Sequence, residues 1–455
     1  MRALSIANGQ LLGPRVPYRN AAETSSQVAF AAHDTRGVRV PAVMSPPGFQ
    51  CLSGHRDRAA CVEATATGDY YPLPYLLPAV AIRAAGSAST GLWLARIASV
   101  LPCALMLVLA VLLLWDQSAL SVIGLSASLT PMVFFTASVV NPSGLEICAS
   151  LSLAAASLRI ARENGASPRW VWVVLAGSGA TVLLSFQAGP AFAIFDLLLG
   201  FGLLGWSRAR QLCVSNRYRS IAAGSVLLVA AFAWLVYSQS SGIAHAQFGV
   251  SPVVQSLKAA IAQMHVVLYE AIGVFGALSV ALPAAVRLPW LLVVLSLVIG
   301  AGMLATARER VVLAATICVA FAFPVLANAW IYRHSGFALQ ARQVMPVLLL
   351  VPLLAGEIVY RNRRRLRMRS VLTAEVGGLG LLAALEFAAW VVNAHDATGA
   401  QGTAMADQHP VWNPPLGWTL WTLMAAAGAA SIFVAALVRP RPVTESLAVA
   451  PRLQG

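Results

Sequence analysis

The chain has 455 residues, of which 58% are hydrophobic and only 11% are charged, with a mean hydropathy of +0.74. These values exclude an ordinary soluble domain. Lysine and arginine outnumber aspartate and glutamate by 31 to 17, a net charge of +14 that in a soluble protein would indicate nucleic-acid binding. Here most basic residues fall in short gaps between apolar runs, so the excess charge indicates orientation in a membrane, and we expect no nucleic-acid partner.

About eleven apolar stretches are long enough, at roughly 17–25 residues, to cross a bilayer as helices. They are predicted at 97–115, 119–140, 142–158, 170–187, 189–206, 220–238, 288–306, 311–330, 343–360, 371–392 and 416–438. Arginines crowd every second gap: Arg159, Arg162 and Arg169; Arg208, Arg210, Arg217 and Arg219; Arg308 and Arg310; Arg361 to Arg369; Arg439 and Arg441. Because basic loops stay cytoplasmic, this alternation predicts an all-α polytopic protein of a bacterial inner membrane, with its C-terminus inside.

The same pattern divides the chain into five segments. They are an outer N-terminal segment (1–95), transmembrane helices 1–6 (96–238), a large outer loop (239–287), transmembrane helices 7–11 (288–438) and a cytoplasmic tail (439–455). Within the large loop, the stretch from Pro252 to Leu282 is moderately apolar and is predicted to form interfacial or re-entrant helices. A full crossing there would reverse the charge pattern of everything downstream.

Two cysteines, Cys51 and Cys61, lie in the outer N-terminal segment, in a stretch rich in proline, glycine and charged residues. On an oxidising face this spacing suits a small disulfide loop, and the alternative is two free thiols. The remaining cysteines lie in predicted spans or a cytoplasmic loop and are interpreted as packing residues. No spacing of cysteine and histidine resembles a zinc site, so we expect no bound metal of that kind.

The segment from Asn141 to Glu146 stands out from its apolar surroundings. Asn141 is a good N-cap and Pro142 a good first helical residue, so a helix is predicted to begin here at the outer surface. Glu146 then lies a little over one turn into that helix, where a carboxylate is costly unless it faces water or a partner. Two interpretations stay open: a structural charge paired within the bundle, or an acid at the floor of an outer cavity.

A second polar group comprises Arg333 and His334, followed by Gln340, Arg342 and Gln343, at the outer end of a predicted span. Arginine presents a planar fork that suits phosphate or carboxylate oxygens. An arginine at this depth can also extend its head group to the lipid surface. The flanking amides favour a polar pocket, and both interpretations stay open.

The third group is Gln187 at an outer turn, with Asp196 about two turns into the helix that follows. Asp196 is deeper than Glu146 and needs a partner. His265 and Glu270 in the large outer loop and Glu386 in a late helix complete the polar set. For each of these residues alone, a solvated or paired structural charge is the simpler interpretation.

These residues resemble a known family. The run from Leu129 to Ile147, with Asn141-Pro142-Ser143-Gly144-Leu145-Glu146 at its centre, is similar to the signature of a bacterial membrane family common in actinobacteria, the domain-of-unknown-function family 2142. Similar blocks are Asn8-Gly9-Gln10-Leu11-Leu12-Gly13, Tyr70-Tyr71-Pro72-Leu73-Pro74-Tyr75, Gly273-Val274-Phe275-Gly276 and Gln340-Ala341-Arg342-Gln343-Val344-Met345-Pro346. The last departs from the family's Gln-Gly-Arg-Tyr pattern at Ala341 and Gln343. The resemblance covers nearly the whole chain.

The resemblance implies a likeness to GT-C glycosyltransferases, polytopic enzymes that move a sugar from a polyprenyl-phosphate donor to an acceptor on the outer face. A full-length relative of this chain is expected to have twelve helices. Such an enzyme needs a carboxylate, as general base or as ligand of a divalent metal, and a cationic group for the lipid phosphate. The catalytic candidates are Glu146 and Asp196. The candidates for binding substrate are Arg342, Gln340, Gln187, Asn141 and His334. Expected partners are membrane lipid and the lipid-linked sugar of cell-envelope glycan assembly, with no organic cofactor.

Two other functions compete with this hypothesis: a transporter or flippase of a lipid-linked intermediate, and a non-catalytic scaffold of envelope assembly. A transporter would use the same outer cavity but would need a second state open to the cytoplasm. The cheapest discriminator is whether Glu146 and Arg342 line one outward cavity. Burial of each residue in its own salt bridge would favour a structural role.

The start of the chain carries a further expectation. Residues 1–95 are predicted outside, yet no apolar run precedes them to begin translocation. Family members are expected to carry a first helix and an acidic motif just upstream of the block that matches Asn8 to Gly13. His33-Asp34 is the nearest pair of histidine and acid and does not match that motif. We therefore expect a missing first helix, through a misplaced start codon or a truncated, inactive homologue.

Overall fold

A computed structural model describes residues 2–7, 15–16, 35–41, 60–65, 70–215, 252–275, 279–335, 338–366, 374–397, 414 and 416–437. The described chain is mostly helical. The helices are α1 (Arg2–Ala7), α2 (Leu73–Arg83), α3 (Ala88–Leu114), α4 (Ile123–Ser128), α5 (Pro131–Ser138), α6 (Pro142–Arg162), α7 (Arg169–Leu183), α8 (Gly189–Leu204), α9 (Trp206–Ser215), α10 (Val253–Gly273), α11 (Ala284–Leu304), α12 (Ala307–Ser335), α13 (Met345–Leu348), α14 (Leu350–Arg361), α15 (Leu379–Ala397) and α16 (Gly417–Leu437). Short 3-10 turns lie at Ala119–Val122, Ala341–Gln343 and Arg363–Arg365, and a π turn at Ala374–Gly378 leads into α15.

Within these described residues, six helices are long and apolar enough to cross a membrane: Thr90–Leu114, Pro142–Arg162, Ala284–Leu304, Ala307–Arg333, Glu375–Asp396 and Gly417–Val434. Two bent pairs raise the number to eight if each pair is one span: Ala119–Ser128 with Pro131–Ser138, and Gly189–Leu204 with Trp206–Leu212. Large apolar side chains such as Leu101, Leu292 and Leu326 are exposed on these helices, as expected where lipid surrounds the protein.

Three of the about eleven predicted spans have no full-length counterpart among these helices. The prediction at 170–187 corresponds to the shorter α7, and the one at 343–360 is divided between α13 and α14. The prediction at 220–238 lies outside the described residues. The structure thus supports six to eight spans, and the larger number stays a prediction.

Helix α6 is the axis of the bundle, and every residue from Pro142 to Leu158 is buried. It packs against α3, α5, α7 and α8. The helix is rich in alanine and serine, and small residues let neighbouring helices approach closely inside a membrane, where packing rather than the hydrophobic effect holds helices together. Ser152 accepts a 2.9 Å hydrogen bond from Ser178 of α7, and Ser157 donates a 2.8 Å bond to the carbonyl of Asp196 in α8.

The predicted span at 119–140 is broken into α4 and α5, whose axes differ by 67°. The break falls at Leu129 and Thr130, directly before Pro131, where the proline ring disfavours helical backbone in the preceding residue. Helix α4 then crosses α14 with the backbones of Gly124 and Gly356 in contact, and a Cβ atom at either glycine would overlap the other chain segment. The bend therefore brings α4 against α14 at a distance that only glycine permits.

A buried ion pair ties α6 to α14 at the end of α6 that lies farthest from Asn141. Arg162 contacts the Glu357 carboxylate at 2.5 Å, and the two side chains are only 12% and 1% exposed. Two guanidinium groups lie over the Tyr360 ring, that of Arg162 at 4.3 Å and that of Arg363 at 4.0 Å from its centroid. From the sequence, Arg162 is interpreted only as a charge that sets the orientation of the helices in the membrane. In the structure it also forms an ion pair with Glu357, which lies far away in the chain.

Strands occur in two places. In the N-terminal segment, β1 (Arg15–Val16), β2 (Thr35–Pro41) and β3 (Ala60–Thr65) form an antiparallel sheet in that order, with Val40 opposite Cys61. The predicted disulfide of Cys61 with Cys51 lies outside the described residues, because Cys51 is not among them. Farther along, β4 (Val274–Phe275) pairs with β5 (Val280–Ala281) directly after α10.

Helix α10 occupies the segment for which interfacial helices are predicted. Its buried residues Ser256, Ala260, Met264, Val267 and Ala271 recur every three or four positions, so they form one stripe. The helix packs against α12 and against the turn that carries Arg342. It is not among the described helices that are apolar enough to cross a membrane. Its exposed side carries apolar residues such as Val254 and Ile261, and its interfacial position stays a prediction.

Candidate functional site

A polar cavity of about 200 Å³ lies at the N-terminal end of α6, and we call it the Arg342 cavity. It is lined by Ala3, Tyr70, Tyr75, Val140, Asn141, Pro142, Ser143, Phe186, Arg342 and Gln343. The structure thus brings together Asn141 and Arg342, two residues that the sequence predicts to bind substrate and that lie about two hundred positions apart in the chain.

The floor of this cavity is the start of α6. Asn141 has extended backbone, and its Oδ1 atom accepts a 2.9 Å hydrogen bond from the Ser143 amide, as an N-cap does. Pro142 follows as the first helical residue. A Cβ atom at Gly144 would overlap the Thr136 carbonyl of α5, so glycine lets α5 lie directly against the first turn. The Asn-Pro-Ser-Gly sequence therefore builds a helix N-terminus that faces the cavity while its side is closed by α5.

The opposite wall is the 3-10 turn Ala341–Gln343, which presents Arg342. The Glu270 carboxylate of α10 accepts a 2.9 Å hydrogen bond from the Ala341 amide. Asn328 of α12 accepts a 2.9 Å bond from the Leu339 amide just before the turn. Gln340 and Gln343 cap the turn reciprocally, each side chain bonding to the other residue's backbone amide. Two helices and a capping box thus fix the position from which Arg342 enters the cavity.

The cavity has a positive character. No ion pair of Arg342 is found within the described part of the chain. The N-terminus of α6 adds its partial positive charge, and the two together favour an anion. The Glu270 carboxyl group interacts electrostatically with Arg342. Burial raises the pKa of Glu270, although the Ala341 hydrogen bond and the Arg342 charge both act to lower it.

Glu146 and Asp196 lie below the cavity rather than in its wall. Glu146 follows Pro142 by four residues, about 6 Å of helical rise on the same face of α6. Both its carboxylate oxygens are buried and have no hydrogen-bond partner among the described residues. Ser150, one further turn along, donates a 3.0 Å hydrogen bond to Oδ1 of Asp196 in α8, while Oδ2 of Asp196 has no such partner. The Glu146 and Asp196 carboxyl groups also interact electrostatically.

The remaining predicted site residues are placed as follows. Gln340 is the N-cap of the Arg342 turn but does not line the cavity. Gln187 is exposed in the connection between α7 and α8, next to the cavity residue Phe186. His334 lies near the end of α12, and its side chain is outside the described set. His265 is exposed on α10, with Nδ1 2.7 Å from the Ala262 carbonyl.

Tyr70, Tyr75 and Phe186 were not predicted as site residues. The two tyrosines belong to the block Tyr70 to Tyr75, for which the sequence indicates only a family resemblance. Three such blocks, at 70–75, 141–146 and 340–346, meet around this one cavity. All three blocks resemble the same family, and this shared resemblance could have indicated that they lie close together. It does not predict the distances between them. In the described portion, no three histidine, cysteine, aspartate or glutamate side chains come together as a metal site.

The fold and this cavity define a multi-span helical membrane protein with a polar, positively charged site at one end of its central helix. Residues 2–351 match the model of a family described as predicted membrane protein (DUF2142). The chain belongs to this family, as its sequence blocks indicated. No curated protein and no solved structure matches the chain.

Proposed function

We propose that the protein is a membrane glycosyltransferase of the GT-C kind, which takes a sugar from a polyprenyl-phosphate donor on the outer face during assembly of a cell-envelope glycan. The observation that carries this proposal is the pairing, across one polar cavity, of a helix N-terminus with an arginine that has no ion pair among the described residues. Arginine and a helix N-terminus are both favourable partners of a phosphate group. A lipid-linked sugar phosphate brings that group to the membrane surface.

In the proposed reaction, an acceptor hydroxyl attacks the anomeric carbon of the donor sugar. A new bond forms between the acceptor oxygen and this carbon, and the bond from the carbon to the phosphate oxygen breaks. Arg342 stabilises the negative charge that develops on the leaving phosphate, and the Asn141 amide contributes a further hydrogen bond. Tyr70, Tyr75 and Phe186 supply the aromatic surface against which a sugar ring packs.

Glu146 is the proposed general base that takes the proton of the acceptor hydroxyl. Neither of its oxygens has a hydrogen-bond partner among the described residues, and it lies one turn beneath Pro142 and Ser143. The proposal therefore requires the cavity floor to open when the acceptor enters. Asp196 is proposed to support Glu146 electrostatically from α8. Gln340 positions the Arg342 turn, while Gln187 and His334 stay proposed contacts at the rim.

A second candidate function is transport of a lipid-linked intermediate. It is favoured by the line of polar groups that continues below the cavity, from Glu146 through Ser150 to Asp196. Buried carboxylates without partners inside a membrane are typical of proton pathways in transporters. In this alternative the same Arg342 cavity binds the lipid phosphate, and protonation of the carboxylates drives its movement.

The test compares lipid-linked sugars and envelope glycans in a deletion strain complemented with the wild type, with Arg342→Gln or with Arg364→Gln. Arg364 is an exposed arginine at the other end of the bundle and serves as the matched control. We expect Arg342→Gln to accumulate the lipid-linked sugar on the outer face and to lose the glycan, and Arg364→Gln to behave as wild type. Normal glycans in the Arg342 variant would refute the proposal.

The two candidate functions differ in where the intermediate accumulates. A missing transferase leaves the lipid-linked sugar on the outer face, where an impermeant oxidant such as periodate reaches it. A missing transporter leaves it on the inner face, protected from the reagent in intact cells. Accumulation on the inner face would therefore replace the transferase proposal with the transport alternative.

A further inference from the structure

A second and larger cavity lies between α5, α15 and α16, and we call it the aromatic groove. Its volume is about 610 Å³, within the range of roughly 300–1,000 Å³ that small-molecule pockets occupy. Its walls carry five aromatic residues and one acidic residue: Phe134, Phe135, Phe275, Phe387, Trp390 and Glu386. The α16 side contributes small residues such as Gly428 and Ala429, which leave the space open.

Glu386 places a carboxyl group in this groove, and an apolar lipid chain offers it neither a hydrogen bond nor an opposite charge. Its Oε1 atom is buried and has no hydrogen-bond partner within the described residues, and no ion pair involves this residue there. An unpaired carboxyl group in apolar surroundings is costly, so such groups are normally paired or functional. The sequence favours a paired or solvated charge for Glu386, but the described chain provides no partner for Oε1.

The aromatic rings complement this acidic group. Phe387 and Trp390 lie on α15 beside Glu386, with nearly parallel rings whose centroids are 6.2 Å apart. The rings of Phe135 in α5 and Phe275 also line the groove, and their centroids are 5.2 Å apart. The faces of aromatic rings attract cations, and aromatic walls with one negative charge are the usual way to bind an organic cation.

We propose that the aromatic groove binds a lipophilic organic cation, a molecule with an ammonium or similar charged centre on an apolar body. The charge lies against Glu386, and the apolar body fills the space between the rings and α16. The choice of a cation rests on charge complementarity: a hydrocarbon chain leaves the carboxyl group unpaired, whereas a cation beside it favours the ionised carboxylate and pairs with it, which an anion cannot do. This site is separate from the Arg342 cavity, whose charge has the opposite sign, and the inference does not depend on the proposed transferase activity.

The test uses two probes of nearly identical shape and opposite charge, tetraphenylphosphonium and tetraphenylborate. Binding of each radiolabelled probe is measured by equilibrium dialysis on full-length protein purified in a neutral maltoside detergent. We expect saturable binding of the phosphonium ion at one site per chain, and binding of the borate at least about tenfold weaker, a difference that one buried charge easily provides.

Two kinds of variant locate the site. Glu386→Gln keeps the shape of the side chain and should weaken phosphonium binding by about tenfold or more, whereas Glu163→Gln removes a carboxylate that is paired with Arg159 elsewhere and should leave binding unchanged. Trp390→Leu keeps an apolar wall but removes the ring face, and should weaken phosphonium binding several-fold without affecting the borate. Because Trp390→Leu tests the groove without altering its charge, it decides the matter if the Glu386 variant fails to fold.

Equal binding of both probes, or phosphonium binding unaffected by Glu386→Gln in a folded protein, would overturn the proposal. The groove would then be an apolar slot for lipid chains. Absence of any saturable phosphonium binding would overturn it as well. The folding of each variant is checked by size-exclusion chromatography and by its thermal unfolding midpoint.

Discussion

Replacing Glu357 by glutamine should destabilise the bundle strongly, because it leaves the Arg162 guanidinium without its counter-charge in a buried position. The two side chains are 1% and 12% exposed, so solvent screens their interaction little. Breaking a buried pair by removing one partner costs about 3–5 kcal/mol. Arg162 keeps a 2.9 Å hydrogen bond to the Leu114 carbonyl and its contact with the Tyr360 ring, so we expect a loss of about 3 kcal/mol, at the lower end of that range.

The measurement is the free energy of unfolding in mixed micelles, from titration with a denaturing detergent followed by circular dichroism. The matched control is Glu163→Gln, which removes a carboxylate from the more exposed pair with Arg159 and should cost less than about 1 kcal/mol. The double variant with Arg162→Met and Glu357→Met should lose less stability than Glu357→Gln alone, because no buried charge is left unpaired. A loss below about 1 kcal/mol in Glu357→Gln, as for an exposed pair, would refute the reasoning.

Three further predictions concern other regions of the molecule. Gly144→Ala should lower the free energy of unfolding by about 1–3 kcal/mol, since its Cβ overlaps the Thr136 carbonyl, and wild-type stability would contradict this packing. Burial raises the pKa of Glu270, so the native state binds more protons than the unfolded state between that pKa and the ordinary value of 4.5. The stability that this group contributes should therefore fall as pH rises through this window. In the Glu270→Gln variant, the unfolding midpoint should depend less on pH over the same window. A cysteine introduced at Arg364 should resist an impermeant maleimide added to intact cells, and labelling there would reverse the predicted orientation.

The sequence predicted local features of the site well. The N-cap at Asn141 and the helix start at Pro142 depend on residues next to each other in the chain, so their pattern was sufficient. Three of the family blocks meet at the Arg342 cavity, and that this cavity is the functional site stays a prediction. Pro131 indicates the bend at 129–130. The span was predicted from hydropathy averaged over a window, which does not report a change in helix direction.

Long-range partnerships could not be predicted in this way. Whether Glu146 is paired, solvated or unpartnered depends on α8, and only the folded chain places Asp196 beside it. Arg162 carried a clear sequence signal as an orienting charge, yet its partner Glu357 is set by the crossing of α6 and α14. The aromatic groove likewise draws its walls from separate segments of the chain, and each segment alone is an ordinary apolar helix or loop.

The contact between Gly124 and Gly356, together with the Arg162 pair, fastens the bundle at the end of α6 opposite the cavity. Helix α6 is about 30 Å long at the usual rise, so a cavity at its N-terminus and a lock at its C-terminus lie on opposite sides of a membrane it crosses. A shape of the protein in which α14 is moved away from α4 and α6 at this end must separate the touching glycine backbones and break the buried pair. At a cost of several kcal/mol, that shape is populated at well under about 1% unless a bound ligand stabilises it. Among the described residues, α14 is therefore held at this end by both contacts, while the Arg342 cavity lies at the other end of α6.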